Sequence, residues 1–132
     1  MATKYLIASI FFTATFLSAC KKDNLSIQEG TYKGIFTVTY NSVKESGKTT
    51  LELKNGRFSC SGNPNRIPVG GSGTFSYDEN TITFNDENAW TADFDWNLIL
   101  NGKYYYTFDG KKLIFSSDKN NMGNYKYDLK KQ

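Results

Sequence analysis

The sequence predicts an all-β domain of short antiparallel strands, and three observations support that prediction. Apolar and polar residues alternate from residue 31 onward, as at Phe36 and Val38, which is the period of a half-buried strand. Turn dipeptides such as Asn55-Gly56 interrupt these runs at short intervals. No stretch sustains the i, i+3, i+4, i+7 pattern of an amphipathic helix.

Turn residues predict where the hairpins form. Three dipeptides, Asn55-Gly56, Asn101-Gly102 and Asp109-Gly110, are favoured in type I′ turns, where both central residues need a positive φ. They predict hairpins over residues 48–61, 96–108 and 104–116. The segment Asp78-Glu79-Asn80 predicts a fourth, between residues 74–77 and 81–85.

The runs between these turns give eight or nine strands. They are residues 31–40, 48–54, 57–61, 73–77, 81–85, 95–101, 103–108, 111–116 and 124–130. A meander of hairpins has two exposed edges unless the sheet closes. We therefore predict a small antiparallel up-and-down barrel over residues 30–132, with a two-sheet β-sandwich as the alternative.

Side-chain alternation also predicts which residues face the core. In the run 95–101 we expect Trp96, Leu98 and Leu100 to point inward and Asn97 and Ile99 to point outward. In the run Tyr104-Tyr105-Tyr106, the middle tyrosine must lie on the opposite face from its two neighbours.

The first nineteen residues have the order of a secretory signal peptide. Lys4 precedes an apolar stretch from Tyr5 to Leu17, and the small residues Ser18 and Ala19 follow, as in an n-region, h-region and cleavage site. The apolar stretch is shorter than the roughly 20 residues that span a bilayer. We therefore expect cleavage of this segment after export, with no transmembrane helix.

The end of that segment resembles the lipobox of bacterial lipoproteins. The residues are Leu17-Ser18-Ala19-Cys20. The resemblance implies that the thiol of Cys20 carries diacylglycerol and that Cys20 becomes the first mature residue, anchored to a membrane. Several acyl chains make such attachment durable, because each buried CH₂ contributes roughly 0.8 kcal/mol.

Residues 20–29 are predicted to be a lipidated tether that contributes no side chain to the core. Lys21 stands where many Gram-negative lipoproteins carry the aspartate that retains them in the inner membrane. The resemblance therefore implies an outer-membrane location, on the periplasmic or the surface face.

Charge and composition exclude several kinds of site. The chain has 16 basic and 13 acidic residues, and this small, dispersed excess does not indicate nucleic-acid binding. It has no histidine, and lipidation of Cys20 leaves Cys60 as a single thiol, which we expect to be a buried strand residue. We therefore expect no zinc, copper or haem site, no other cofactor and no structural disulfide.

The start of the first strand is similar to that of lipocalin-like small barrels. Gly30-Thr31-Tyr32 resembles the Gly-x-Trp motif with which the lipocalin barrel opens, with Tyr in the place of Trp. The resemblance implies a barrel fold and carries no ligand with it.

Two irregular segments are where we expect ligand binding, because loops on a rigid scaffold commonly carry it. Residues 62–73 contain Arg66, and residues 86–95 contain Trp90 among four acidic residues. Trp90 is predicted to contact a ligand with its indole and Arg66 to pair with an anionic group. Asp93 and Asp95 are the other candidates. The alternatives are a solvated loop with Trp96 in the core, an acid pair or a Ca²⁺ site.

Three classes of function remain, and the first is a binding module for a small apolar molecule, a glycan or an envelope component. The second is an envelope interaction protein or an inhibitor of a secreted enzyme. An enzyme comes third, because no nucleophile-and-base pair is recognisable. An open lumen would favour the first class, and a lumen packed with Phe and Leu would favour the second.

Overall fold

Eight antiparallel strands follow one another around a closed barrel in chain order. The computed structural model describes residues 24–119 and 121–132, so the predicted signal peptide and Cys20 lie outside the described residues. The strands are β1 (Gly30–Tyr40), β2 (Val43–Lys54), β3 (Arg57–Cys60), β4 (Gly71–Tyr77), β5 (Thr81–Asp86), β6 (Gly102–Phe108), β7 (Lys112–Lys119) and β8 (Gly123–Lys131). Pairing of β1 with β8 closes the barrel. The predicted all-β up-and-down barrel is confirmed.

The predicted alternation describes the inner face of the barrel well. Phe36 and Val38 of β1 are fully buried, as are Tyr125 and Tyr127 of β8. Tyr105 is 70% exposed, while its neighbours in β6 point inward. One face of each strand therefore builds the core, as the period of two requires.

Aromatic rings fill the lumen. Phe84 lies 4.9 Å from Phe58 and 5.3 Å from Phe115, between ring centroids. Phe115 stacks on Tyr127 at 4.6 Å, and Tyr127 lies 4.7 Å from Phe36 on the opposite side. Two of these contacts join strands that are not neighbours, β3 with β5 and β5 with β7, and two join neighbouring strands. The rings therefore meet over the lumen, and side chains occupy the interior of this eight-stranded barrel.

Three of the four predicted hairpins are confirmed. They join β2 to β3, β4 to β5 and β6 to β7. At Asn55-Gly56 both residues have a positive φ, 52° and 72°, as a type I′ turn needs. β2 begins at Val43, five residues before the predicted run, because residues 43–48 continue to pair with β1 beyond the four residues that pair with β3.

The predicted strand over residues 95–101 and its hairpin over 96–108 are wrong. The structure has a short 3₁₀-helix, Trp96–Leu98, and the side chain of Asp95 caps it by accepting a hydrogen bond from the Asn97 N–H at 2.9 Å. Side-chain bonds of this kind offer the backbone an alternative to a sheet ladder.

The side-chain directions predicted for this run are therefore partly wrong as well. Trp96, expected in the core, is 56% exposed, and Ile99, expected outside, is buried. Leu98 and Leu100 are buried as predicted. Helical turns do not alternate faces with period two, which leaves Trp96 outside. Leu98 and Leu100 belong to the core cluster, whereas Ile99 is buried outside it, where it forms an isolated bridge with Gly70.

Part of the predicted tether belongs to the barrel. Ile27 is buried in the core, and the side chain of Asn24 accepts a hydrogen bond from the Phe108 N–H and donates one to the carbonyl of Tyr106. Residues 24–29 thus cover one end of the lumen, contrary to the expectation that the tether contributes no core side chain.

Because the strands run alternately up and down, successive connections lie at opposite ends of the barrel. Residues 24–29 and the turns at 55–56, 78–80 and 109–111 lie at one end, called here the N-terminal end. The connections β1–β2, β3–β4, β5–β6 and β7–β8 lie at the other, the loop end. No helix in the described residues is both long and apolar enough to cross a membrane.

Candidate functional site

The two irregular segments singled out in the sequence both lie at the loop end, where they pack on each other. Arg66 forms an ion pair with Asp93 at 3.3 Å, and its guanidinium carbon lies 5.3 Å from the centroid of the Phe94 ring. The Val69 N–H donates to the Leu98 carbonyl at 3.1 Å. The segments therefore cover the end of the barrel together instead of bordering an opening between them.

Asp95 ties this cover to the wall of the barrel. One oxygen of its carboxylate accepts hydrogen bonds from the hydroxyls of Tyr40, at 2.6 Å, and Tyr125, at 2.8 Å. These tyrosines stand at the end of β1 and the start of β8. Burial alone would raise the pKa of Asp95, but the hydrogen bonds from Tyr40, the Asn97 N–H and Tyr125 outweigh it and lower that pKa.

Lys119 closes the lumen beside Asp95. Its ammonium group donates to the Tyr104 hydroxyl at 2.7 Å and to the Asn101 carbonyl at 2.9 Å, and lies 4.7 Å above the centroid of the Tyr104 ring. Burial lowers the pKa of Lys119 to about 8, and the negative charge of Asp95 opposes that shift. A polar layer thus caps the aromatic core at the loop end.

The lowered pKa of Asp95 predicts a loss of stability in acid. The unfolded carboxyl takes up its proton near pH 4, at a higher pH than the folded one, so the contribution of Asp95 is present above pH 4 and lost as pH falls through the folded pKa. Asp95→Asn should lower the free energy of unfolding by roughly 1–3 kcal/mol at neutral pH.

This difference between wild type and Asp95→Asn should shrink as the pH falls below about 4, in urea unfolding followed by circular dichroism. Asp93→Asn is the matched control, because the Asp93 side chain is 65% exposed and its ion pair is at the surface, where such pairs contribute little. A gap between wild type and Asp95→Asn that is the same at pH 7 and pH 3 would contradict the role given to the carboxylate.

A cleft of about 510 Å³ opens at the loop end, between the segment 86–101 and the ends of β6 and β7. Both tryptophans of the chain, Trp90 and Trp96, lie in its lining. The other side chains that border it are mainly polar: Asp86, Asn88, Asn97, Asn101, Lys103, Ser117, Asp118 and Lys119. Its volume falls in the range of about 300–1,000 Å³ that is usual for small-molecule sites.

The four predicted ligand contacts are distributed unequally around this cleft. Trp90 lines it, whereas Arg66, Asp93 and Asp95 are not part of its lining. Arg66 and Asp93 are paired with each other, and Asp95 points to the tyrosine hydroxyls. A ligand role for any of the four stays a prediction.

Sequence reasoning missed Trp96 as a cleft residue because the strand prediction turned its side chain into the core. A signal for the correct geometry was present in Asp95, which is a favoured N-cap residue directly before Trp96-Asn97. No sequence signal of this kind predicts that Lys103 and Lys119 line the cleft, because the two lysines come from β6 and β7, which only the folded sheet brings together.

The thiol of Cys60 lies outside the cleft lining. Cys60 is buried in β3 as expected, and burial raises the pKa of its thiol to about 11, which keeps it in the unreactive protonated form. Within residues 24–119 and 121–132, no group of three or more Cys, Asp or Glu side chains is placed to hold a metal ion.

Comparisons of the chain with protein-family models, with curated proteins and with solved structures found no match.

Proposed function

We propose that this protein is an envelope lipoprotein, anchored through Cys20, that binds its ligand on the loop end of the barrel and not in the lumen. One observation carries the choice of surface. The lumen is filled by aromatic rings, while the loop end carries a cleft lined by both tryptophans. A small apolar molecule inside the barrel, as in a lipocalin, is therefore the least favoured of the three ligand types considered above.

The position of the proposed anchor is consistent with this arrangement. Asn24 lies at the N-terminal end of the barrel, and a chain of four residues reaches at most about 14 Å. A lipid on Cys20 would therefore keep the N-terminal end near the bilayer, and the cleft would face away from it. The outer membrane remains the proposed location, on the basis of Lys21.

The filled lumen also favours the second class named from the sequence, an envelope interaction protein or an inhibitor of a secreted enzyme. Both classes use a surface of the barrel. They differ in the size of the partner. A cleft of about 510 Å³ has room for a small ligand, whereas stable protein interfaces bury roughly 1,200–2,000 Å².

Native mass spectrometry of the lipidated protein, extracted from its own envelope in mild detergent, tests the proposal. We expect a co-purifying small mass that is lost from Trp96→Ala and retained by Tyr105→Ala, a variant in an exposed tyrosine of β6 outside the cleft lining. An apolar mass that is retained by Trp96→Ala would place the ligand in the lumen and contradict the proposal. A co-purifying protein in place of a small mass would support the interaction class.

A further inference from the structure

Trp96 is an exposed aromatic ring that the fold holds in one orientation. Its side chain is 56% exposed, yet its indole N–H donates to the Thr91 carbonyl at 2.9 Å. The backbone beneath it is fixed by the 3₁₀-helix that Asp95 caps. An exposed aromatic ring whose orientation is already fixed is well suited to anchor a ligand, because little conformational entropy is lost when the ligand covers it.

Trp90 forms a second fixed ring on the same cleft. Its indole N–H donates to the Asp86 carboxylate at 2.6 Å, and its ring meets Phe94 edge to face, with centroids 6.1 Å apart. Asp86 also accepts hydrogen bonds from the Ser72 N–H and the Asn88 amide. This carboxylate is therefore occupied in holding the loop, and the ring of Trp90 is presented as a rigid wall.

The polar groups beside the two rings suit a ligand that carries many hydroxyls. Asn97, Asn101 and Asp118 contribute amide and carboxylate groups, and Lys103 adds an ammonium group. The Asn101 side-chain oxygen already accepts from the Asp86 N–H, and one Asp118 oxygen accepts from the Asn124 amide, which leaves the Asn101 NH₂ group and the other Asp118 oxygen for a ligand. Three ion pairs form within the described part of the chain, and none of them involves Lys103. Such planar and charged groups form hydrogen bonds in the plane of a bound ring, while an indole face takes up its apolar side.

From this arrangement we infer that the cleft binds a glycan, with one sugar ring stacked on Trp96 and bordered by Trp90. The inference rests on the proposed function, in that it names the ligand class of the same site. A sugar ring combines an apolar C–H face with hydroxyls around its edge, which matches two indoles surrounded by amides and charges. A lipid surface fits poorly, because the cleft lining sets two carboxylates, Asp86 and Asp118, against two ammonium groups, Lys103 and Lys119, and so lacks the cationic excess that attracts anionic headgroups.

The test is a saccharide panel titrated into the lipidated mature protein in detergent. The panel contains neutral glucose oligomers, N-acetylglucosamine oligomers, peptidoglycan fragments and acidic oligogalacturonate, and binding is followed by tryptophan fluorescence and calorimetry. We expect at least one saccharide to give a saturable change with a dissociation constant between micromolar and millimolar. The neutral and acidic arms then identify the kind of sugar.

Three variants assign the binding to the cleft. Trp96→Ala should weaken binding of that saccharide by roughly tenfold or more, as expected for an anchor residue, and Trp90→Phe should weaken it by a smaller factor. Tyr105→Ala should bind like wild type, since its exposed ring lies outside the cleft lining. Circular dichroism confirms the fold of each variant, and the exposed position of Trp96 makes its truncation tolerable.

The remaining outcomes separate this inference from the proposed function. Absence of saturable binding by every saccharide overturns the glycan inference. If a co-purifying mass that is not a saccharide still depends on Trp96, the loop-end proposal stands and the ligand class is wrong. Saccharide binding that neither Trp96→Ala nor Trp90→Phe weakens contradicts both proposals, because it lies outside the cleft.

Discussion

Gly34→Ala is expected to disrupt the closure of the barrel. A Cβ atom at this position would lie 2.0 Å from the carbonyl oxygen of Asp128 and 2.9 Å from the Cα of Leu129. Both atoms belong to the backbone of β8, which pairs with β1 at the seam of the barrel, so the clash is relieved only if the two strands separate. We expect a loss in the free energy of unfolding at or above the upper end of the roughly 1–3 kcal/mol typical of overpacking.

Urea unfolding followed by circular dichroism measures this loss, with Gly56→Ala as the control. Gly56 sits in the β2–β3 turn at a φ of 72° with no atom near its Cβ position. Its substitution should therefore cost only the roughly 1–2 kcal/mol of the left-handed conformation. If Gly34→Ala unfolds at the same urea concentration as wild type, the contact between β1 and β8 is looser than the distances at Gly34 indicate.

Cys20→Ala is expected to abolish membrane attachment, because the proposed acyl chains on this thiol are the anchor. Partitioning between detergent and aqueous phases measures the effect, and the variant should move from the detergent phase to the aqueous phase. The barrel should still fold, since the substitution leaves every residue that the structure shows packing on it, from Asn24 onward, unchanged.

The second cysteine of the chain supplies the matched control for this experiment. Cys60→Ala removes a thiol that is buried in β3, so it should cost some stability and leave partitioning unchanged. Continued partitioning of Cys20→Ala into detergent would remove the basis for the lipoprotein proposal. It would leave the description of the barrel untouched.

The parts of the fold that follow from the sequence are those governed by local chemistry. Tyr125 and Tyr127 face inward because a strand alternates faces, and Asn55-Gly56 turns the chain because both residues accept a positive φ. The aromatic filling of the lumen does not follow in detail, since it depends on how rings from different strands meet. The burial of Ile27 does not follow from the sequence either, because Ile27 packs on the end of the barrel, which exists only once the strands have closed.

The candidate site depends more heavily on tertiary structure. The sequence singles out Trp90 because an indole among acidic residues is unusual in a core, and Trp90 lies in the cleft. The spacing of Trp96 from Leu98 and Leu100 predicts that Trp96 faces the core. In the structure, Asp95 caps a 3₁₀-helix that turns Trp96 outward instead. Residues 95–98 can form either a capped helical turn or an alternating strand, and packing against the surrounding chain determines which of the two forms.

The sequence by itself determined the class of the fold, most of its strands and three of its four predicted hairpins, because alternation and turn chemistry act over a few neighbouring residues. The choice of a closed barrel over a sandwich, the packing of residues 24–29 on its end and the placing of Trp90 and Trp96 in one cleft were decided only in three dimensions. These features join residues far apart in the chain, such as Asn24 and Phe108. Their energies arise from contacts that exist only once the barrel has formed.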